Sequence, residues 1–246
     1  MFGNKYIKVA LPESLKNVLR PIKYCCTNKY SAELAFWRSR LKIDHGIFCN
    51  NNYQKLMLAI AEEPDDSFLE GKIIADFGCG PRGSLLWAKS AKLRFGIDVL
   101  AERYAEEFRD NIITHNMVYL KSTETTIPLP SKIINVMFTL NAIDHVNNFP
   151  VICAEIIRVI KPGGLLIASF NLEEPVSKAE PQKLTEQIIK KHLLNFFKII
   201  SYRITAKESK DIYEPFFSGN LSYQKGQEGI LWVKAVKIPP SKIKKK

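Results

Sequence analysis

The chain has 246 residues, 46% of them apolar, and a net charge of +11. That size suits one domain with additions, and that apolar share can fill a sizeable core. No apolar run nears the ~20 residues of a membrane span, the first residues carry no apolar leader core, and five cysteines without a CxxC pair or zinc-like spacing point to free thiols in a reducing cytoplasm, with no metal site.

The basic balance leaves several partners open: nucleic acid, an anionic membrane surface, an acidic substrate, or none beyond a solvated Lys-rich surface. Residues 239–246, with four lysines in Ser241–Lys246, read as a disordered basic tail. Residues 1–70 read as a mainly helical cap. Pro12–Arg20 is amphipathic and ends at Pro21. Ser31 reads as the N-cap of a helix reaching Lys42, with Leu34, Trp37 and Leu41 on one face. Phe36 and Trp37 either pack this cap or, with Tyr30, close over a ligand. Tyr53–Glu62 is a second helix, broken at Pro64.

From residue 71 to 238 strands and helices alternate. Lys72–Phe77, Arg94–Asp98, Met117–Leu120, Ile133–Thr139 and Leu165–Phe170 read as parallel strands, apolar as a sheet covered on both faces requires. Glu102–Asp110, Phe149–Ile160 and Leu184–Leu194 read as helices, Lys161–Gly164 ends the second of these, and Phe196–Thr205 and Ile230–Ile238 read as two last strands. The sum is a three-layer, Rossmann-like α/β fold: a seven-stranded, mostly parallel sheet with helices on both faces.

One stretch organises this plan. After Ile73-Ile74-Ala75 come Asp76, Gly78, Gly80 and Gly83, and Ser84–Lys89 read as a helix start. Glycine allows a sharp turn and close approach of backbone to a ligand. The Gly-x-Gly-x-x-Gly spacing also fits a dinucleotide fingerprint. Asp76, however, would repel a pyrophosphate and suits a ligand with an ammonium group. Asp98 ends the second strand, where a carboxylate can hold both hydroxyls of a ribose; a helix cap would use the same residue.

Asp76-Phe-Gly-Cys-Gly-Pro-Arg-Gly83, then Gly96-Ile-Asp98, Ile127-Pro-Leu-Pro130, Asn141-Ala-Ile-Asp-His-Val146 and Glu155–Gly164 resemble class I S-adenosylmethionine (SAM) dependent methyltransferases, in order and over residues 70–171. Within that family the chain is similar to the small-molecule branch with ubiquinone-type and sugar methyltransferases. Asn171–Thr185 is similar to methyltransferases of polysaccharide or natural-product pathways. The resemblance implies SAM as cofactor. Asp76 would face the methionine ammonium, and Gly78 and Gly80 would admit the cofactor. Asp98 would hold the ribose, Thr123 and Glu124 would flank the adenine, and Asn141 would border the methionine part. Two positions depart from the family: Asn135 stands where Asp is usual, and Thr123 where an acid is usual.

Methyl transfer to a hydroxyl needs in-line positioning and removal of a proton. An imidazole, ordinarily titrating near pH 6.5, suits that task. His145, past the fourth strand, is the candidate base, Asp144 its rival; a packing or capping histidine is the alternative. His192 lies in a Lys-rich helix, and His45 and His115 offer no context. The expected activity is methylation of a small-molecule acceptor, an acidic or lipid-linked one being compatible with the charge. Alternatives are a non-catalytic SAM-binding partner, an RNA methyltransferase and an NAD-dependent oxidoreductase. Nucleic acid is disfavoured by the absence of an Asn/Asp-Pro-Pro-aromatic motif after the fourth strand and of an added RNA-binding module. Peripheral membrane contact stays open, and no signal of oligomeric state is present.

Overall fold

Seven strands pair into one sheet in the order β3-β2-β1-β4-β5-β7-β6. They are β1 (Ile73–Phe77), β2 (Leu93–Asp98), β3 (Val118–Lys121), β4 (Ile134–Leu140), β5 (Ile160–Leu172), β6 (Phe197–Ala206) and β7 (Gly229–Lys237). The computed structural model describes residues 28–177, 180–207, 213–219 and 222–239. The sequence readings for Pro12–Arg20, Cys25, Cys26 and residues 240–246 lie outside these. Only β7 runs opposite to the other six strands. The chain order reverses between β1 and β4. In such sheets that switch point opens a crevice at the carboxyl ends of the strands.

Apolar clusters cover both faces. On one, α5 (Phe149–Val159) sets Phe149, Ile152, Ile156 and Val159 against the sheet, all fully buried. Each such side chain stabilises by about 1.5–3 kcal/mol. α6 (Glu186–His192) adds Ile189 to this face, its first turn capped by the Thr185 side chain. On the other face, α2 (Asn51–Ala61) contributes Leu56, Met57 and Ile60 beside Trp232 of β7. α7 (Glu214–Phe217) adds Phe216, whose ring centroid lies 4.7 Å from that of Trp232.

α1 (Lys29–Ile43) is held differently, for it has only one fully buried residue, Leu34. Leu34 joins Phe48, Leu100, Tyr104 and Phe108, which lie around α3 (Ala101–Glu107) and α4 (Arg109–Ile112). Tyr30, Trp37 and Leu41 pack against this cluster half-buried, and polar ties add to the attachment. Arg38 donates twice to the Glu107 carboxylate, at 2.7 and 2.8 Å. Lys29 pairs with Glu124 at 2.6 Å, and Arg82 pairs with Asp44 at the helix end.

Local departures from the sequence reading have physical causes. The N-cap of α1 is Asn28, whose side chain accepts the Ser31 N–H at 2.8 Å, so Ser31 lies inside the helix. Residues 84–89 form turns instead of a helix start. There the buried Arg94 guanidinium donates to the carbonyls of Leu85 and Leu86, which a helix would have used itself. The predicted helix 102–110 breaks at Phe108 into α3 and α4. Lys161–Gly164 ends α5 as expected but does so as a bulge within β5: the pairing jumps from Ile134/Ile160 to Val136/Leu165.

Candidate functional site

A cavity of about 360 Å³ opens at the carboxyl ends of β1, β2 and β4 and is roofed by α1. Its floor is the glycine turn after β1. Gly78 has φ +76°, and a Cβ built on it would lie 2.2 Å from the Ala142 Cβ. Gly80, at φ +57°, has the Trp37 ring of α1 2.7 Å from where its Cβ would stand. Gly83 serves packing, because a Cβ there would meet the His115 ring at 2.7 Å. His115 is buried, shares a 2.7 Å hydrogen bond with the Tyr119 hydroxyl, and is held below its ordinary pKa by burial. Sequence reading had found no role for it.

Of the four carboxylates that line the cavity, two, Asp76 and Asp98, end adjacent strands. Asp76 is 4% exposed and accepts the Ser84 hydroxyl. Burial raises its pKa to about 7 against the Ser84 bond, and the nearby Asp98 adds to the rise. Asp98 accepts the Gly80 N–H at 3.1 Å and the Leu100 N–H at 2.9 Å. Burial lifts it to about 6 although both amide bonds oppose the shift. α3 begins beyond it with no side-chain cap of its own. Neither carboxylate is in an ion pair among the described residues. Two buried acids at adjacent strand ends, without a cation, are costly unless a ligand supplies the missing charge or donors.

The opposite wall follows β4. Asn141 has φ +47°, a strained value for a non-glycine residue. Its N–H donates to the Ser169 carbonyl at 3.1 Å and its Oδ1 accepts the Ser169 hydroxyl. Its Nδ2 is buried without a partner among the described residues. A short 3₁₀ turn, Ile143–His145, follows. His145 lines the cavity, whereas Asp144 lies behind it, 3% exposed.

The predicted adenine flank divides. Glu124 lines the cavity but is engaged: the Tyr30 hydroxyl donates to it at 2.5 Å and the Asn147 N–H at 2.8 Å, besides Lys29. Burial raises its pKa, but these three bonds outweigh that and hold it below the usual range. Thr123 is exposed, with its hydroxyl near Thr125, and does not line the cavity. Its neighbour Ser122 does, buried, with no partner for its hydroxyl among the described residues. Tyr53, Tyr104 and Tyr213 also line the cavity and were not singled out from sequence. Asn135 proves structural: its Oδ1 accepts the Ile73 N–H at 3.0 Å and Lys161 at 3.2 Å, which an amide oxygen does as well as a carboxylate.

This strand order, with a lone antiparallel strand and a glycine turn after β1, is the class I methyltransferase fold. Residues 75–168 match the family model described as Methyltransferase domain. No curated protein matches the sequence. Among solved structures, an S-adenosylmethionine dependent methyltransferase from Mesorhizobium loti is 16% identical, with 73% of this chain and 95% of that one covered and a TM-score of 0.53. A protein of Galdieria sulphuraria, provisionally described as a sarcosine dimethylglycine methyltransferase, is 11% identical, covered at 82% and 97%, with a TM-score of 0.60. The [4+2]-cyclase SpnF is 18% identical, covered at 75% and 80%, with a TM-score of 0.56. At these identities the likeness establishes the fold, and SpnF's own description is not that of a methyltransferase, so function has to be argued from the site.

Proposed function

We propose that this protein is a SAM-dependent methyltransferase acting on a small-molecule acceptor, at a hydroxyl of a sugar, glycan precursor or natural product. The observation that carries the reading is the pair of buried, cation-free carboxylates, Asp76 and Asp98, beside a glycine turn that any Cβ would obstruct. SAM is the cofactor that fits them, and when bound it supplies an activated methyl group. Asp76 would pair with its ammonium group, and Asp98, oriented by two backbone amides, would accept from the ribose hydroxyls. The unpartnered Nδ2 of Asn141 and hydroxyl of Ser122 offer further bonds at the cavity wall.

His145 is the group we assign to proton removal from the acceptor. Its ring lines the cavity, and Lys29 of α1 donates to its carbonyl at 3.0 Å, fixing that turn against the roof. The roof, with Tyr30, Phe36 and Trp37, excludes water from the reacting groups. It also limits the acceptor to a size that fits beneath one helix, which favours a small molecule over RNA. No described helix is long and apolar enough to cross a membrane.

Thermal unfolding with S-adenosylhomocysteine and with NADH, each at about 1 mM, tests the cofactor. A ligand at ~100 times its Kd stabilises by about 2.7 kcal/mol. A shift with S-adenosylhomocysteine that Asp98→Ala abolishes supports the reading. A shift with NADH alone overturns it.

A further inference from the structure

Behind the cavity wall, two adjacent side chains of the turn after β4 meet a third from the loop after β5. One donor atom each from Asp144, His145 and Glu180 lies within 4.8 Å of the others. Asp144 is 3% exposed, and neither of its carboxylate oxygens has a hydrogen-bond partner among the described residues. Buried carboxylates are nearly always bonded, because leaving one unpaired costs several kcal/mol. Of its neighbours, His145 favours the charged carboxylate, yet neither oxygen gains a hydrogen bond from it. Glu180 adds like charge, and Lys207, which also acts on Asp144, pairs with Glu174. With neutral imidazole the three groups carry a net charge of −2, and Lys207 with Glu174 adds none.

We propose that Asp144, His145 and Glu180 bind a divalent transition-metal ion, of the Mn²⁺ to Zn²⁺ kind, at the edge of the cavity. One imidazole and two carboxylates form a mixed nitrogen–oxygen donor set. Such a set suits these ions better than thiolate-seeking Cu(I) or all-oxygen Ca²⁺. Donors bound at ~2.1 Å to one ion stand about 3–4 Å apart. The observed spread closes to that range by small side-chain rotations. Glu180 sits in a loop pinned close to the turn: Ser177 and Glu180 exchange bonds at 2.8 and 3.0 Å, and Gln182 donates to the Val146 carbonyl. Because His145 also faces the cavity, an ion held there stands where it can take an acceptor oxygen and ease loss of its proton, and in that state it replaces the His145 ring, whose lone pair it occupies, in the role assigned above. The ion-binding claim does not depend on methyl transfer.

The test uses the untagged full chain without SAM. Mn²⁺ is titrated and followed by loss of the free-ion electron paramagnetic resonance signal, then displaced with Zn²⁺. Expected is one ion per chain at micromolar Mn²⁺, with affinity reduced at least tenfold in Asp144→Asn and in Glu180→Gln. Glu180 is only half-buried, so the second variant stays informative if the first fails to fold. Unchanged S-adenosylhomocysteine binding in Glu180→Gln confirms an intact fold. Absence of both Mn²⁺ and Zn²⁺ binding at 1 mM overturns the proposal and leaves Asp144 and His145 as a simple dyad. Binding that survives in Glu180→Gln overturns it too.

Discussion

The floor and the roof of the cavity are built by different means. On the floor, Asp76 and Asp98 are oriented by groups near in the chain: Ser84, Gly80 and Leu100, two to eighteen residues away. The roof hangs on long-range polar ties: Tyr30 to Glu124 across 94 residues, Lys29 to the His145 carbonyl across 116 and Arg38 to Glu107 across 69. A floor of this kind forms whenever strands and turn form. A roof of this kind forms only once the sheet is complete, and its ties are half-buried at Glu124 and exposed at Arg38, where an ion pair holds weakly. On the function proposed above, the cofactor side would therefore be the more rigid and the acceptor side the more adjustable.

The largest effect is expected from Gly78→Ala. The added Cβ meets the Ala142 Cβ at 2.2 Å, and φ +76° is strained for alanine. Overpacking and backbone strain each cost about 1–3 kcal/mol. A fall in Tm of several degrees and loss of S-adenosylhomocysteine binding by at least 100-fold are expected in calorimetry. Gly78→Ala combined with Ala142→Gly should recover the stability lost to the clash but not that lost to φ. If Gly78→Ala binds normally, the floor is not the rigid element claimed here.

That contrast also explains what could be read from the sequence. Strand–turn chemistry is local, so β1, its glycines, Asp76 and Asp98 were visible as spacing. The alternation of strands and helices, with α2 and α5 among them, followed from periodicity; the strand order did not. The roof was visible only in part: the face of Leu34, Trp37 and Leu41 and the option that Tyr30, Phe36 and Trp37 close over a ligand could be read, whereas its polar partners Glu107 and Glu124 are ordinary acids until the fold brings them near. Ser122 was missed for its neighbour Thr123, since a one-residue step decides which side chain enters the cavity. The convergence of Asp144 and His145 with Glu180 escaped a search for metal spacing for the same reason: thirty-five residues and all of β5 separate them.

A smaller effect is expected from pH. With its pKa raised to about 7, Asp76 binds a proton in the folded, ligand-free protein that the unfolded chain releases near pH 4. Between those values the folded state holds more protons, so the stability that Asp76 contributes falls as pH rises from about 4 to 7. Asp98, raised to about 6, acts in the same direction. A ligand ammonium favours the charged carboxylate and opposes this. S-adenosylhomocysteine affinity should therefore be level above pH 7 and decline by up to tenfold per pH unit below it. Ser84→Ala, which removes a bond that lowers the Asp76 pKa, should move that midpoint upward. Calorimetric titration from pH 8 to 5 checks both. A flat profile would mean that Asp76 does not pair with the ammonium.

The smallest effects belong to the roof, and their size is the argument. Arg38 is about half-exposed, and removing its pair with Glu107 by Arg38→Gln should cost well under 1 kcal/mol. Glu124 is more sheltered and collects three donors, from Lys29, Tyr30 and Asn147. Glu124→Gln should cost about 1 kcal/mol, because one charged acceptor for three groups is replaced by a neutral one. In both, Tm should move by no more than a few degrees. The difference should lie in exchange kinetics: Glu124→Gln loosens the end of α1 beside His145 and should raise the dissociation rate of S-adenosylhomocysteine several-fold, while Arg38→Gln, tied to α3 away from the cavity, should leave it nearly unchanged. Stopped-flow displacement measures this. Equal rates in the two variants would mean that α1 moves as one rigid piece, and that the roof is no more adjustable than the floor.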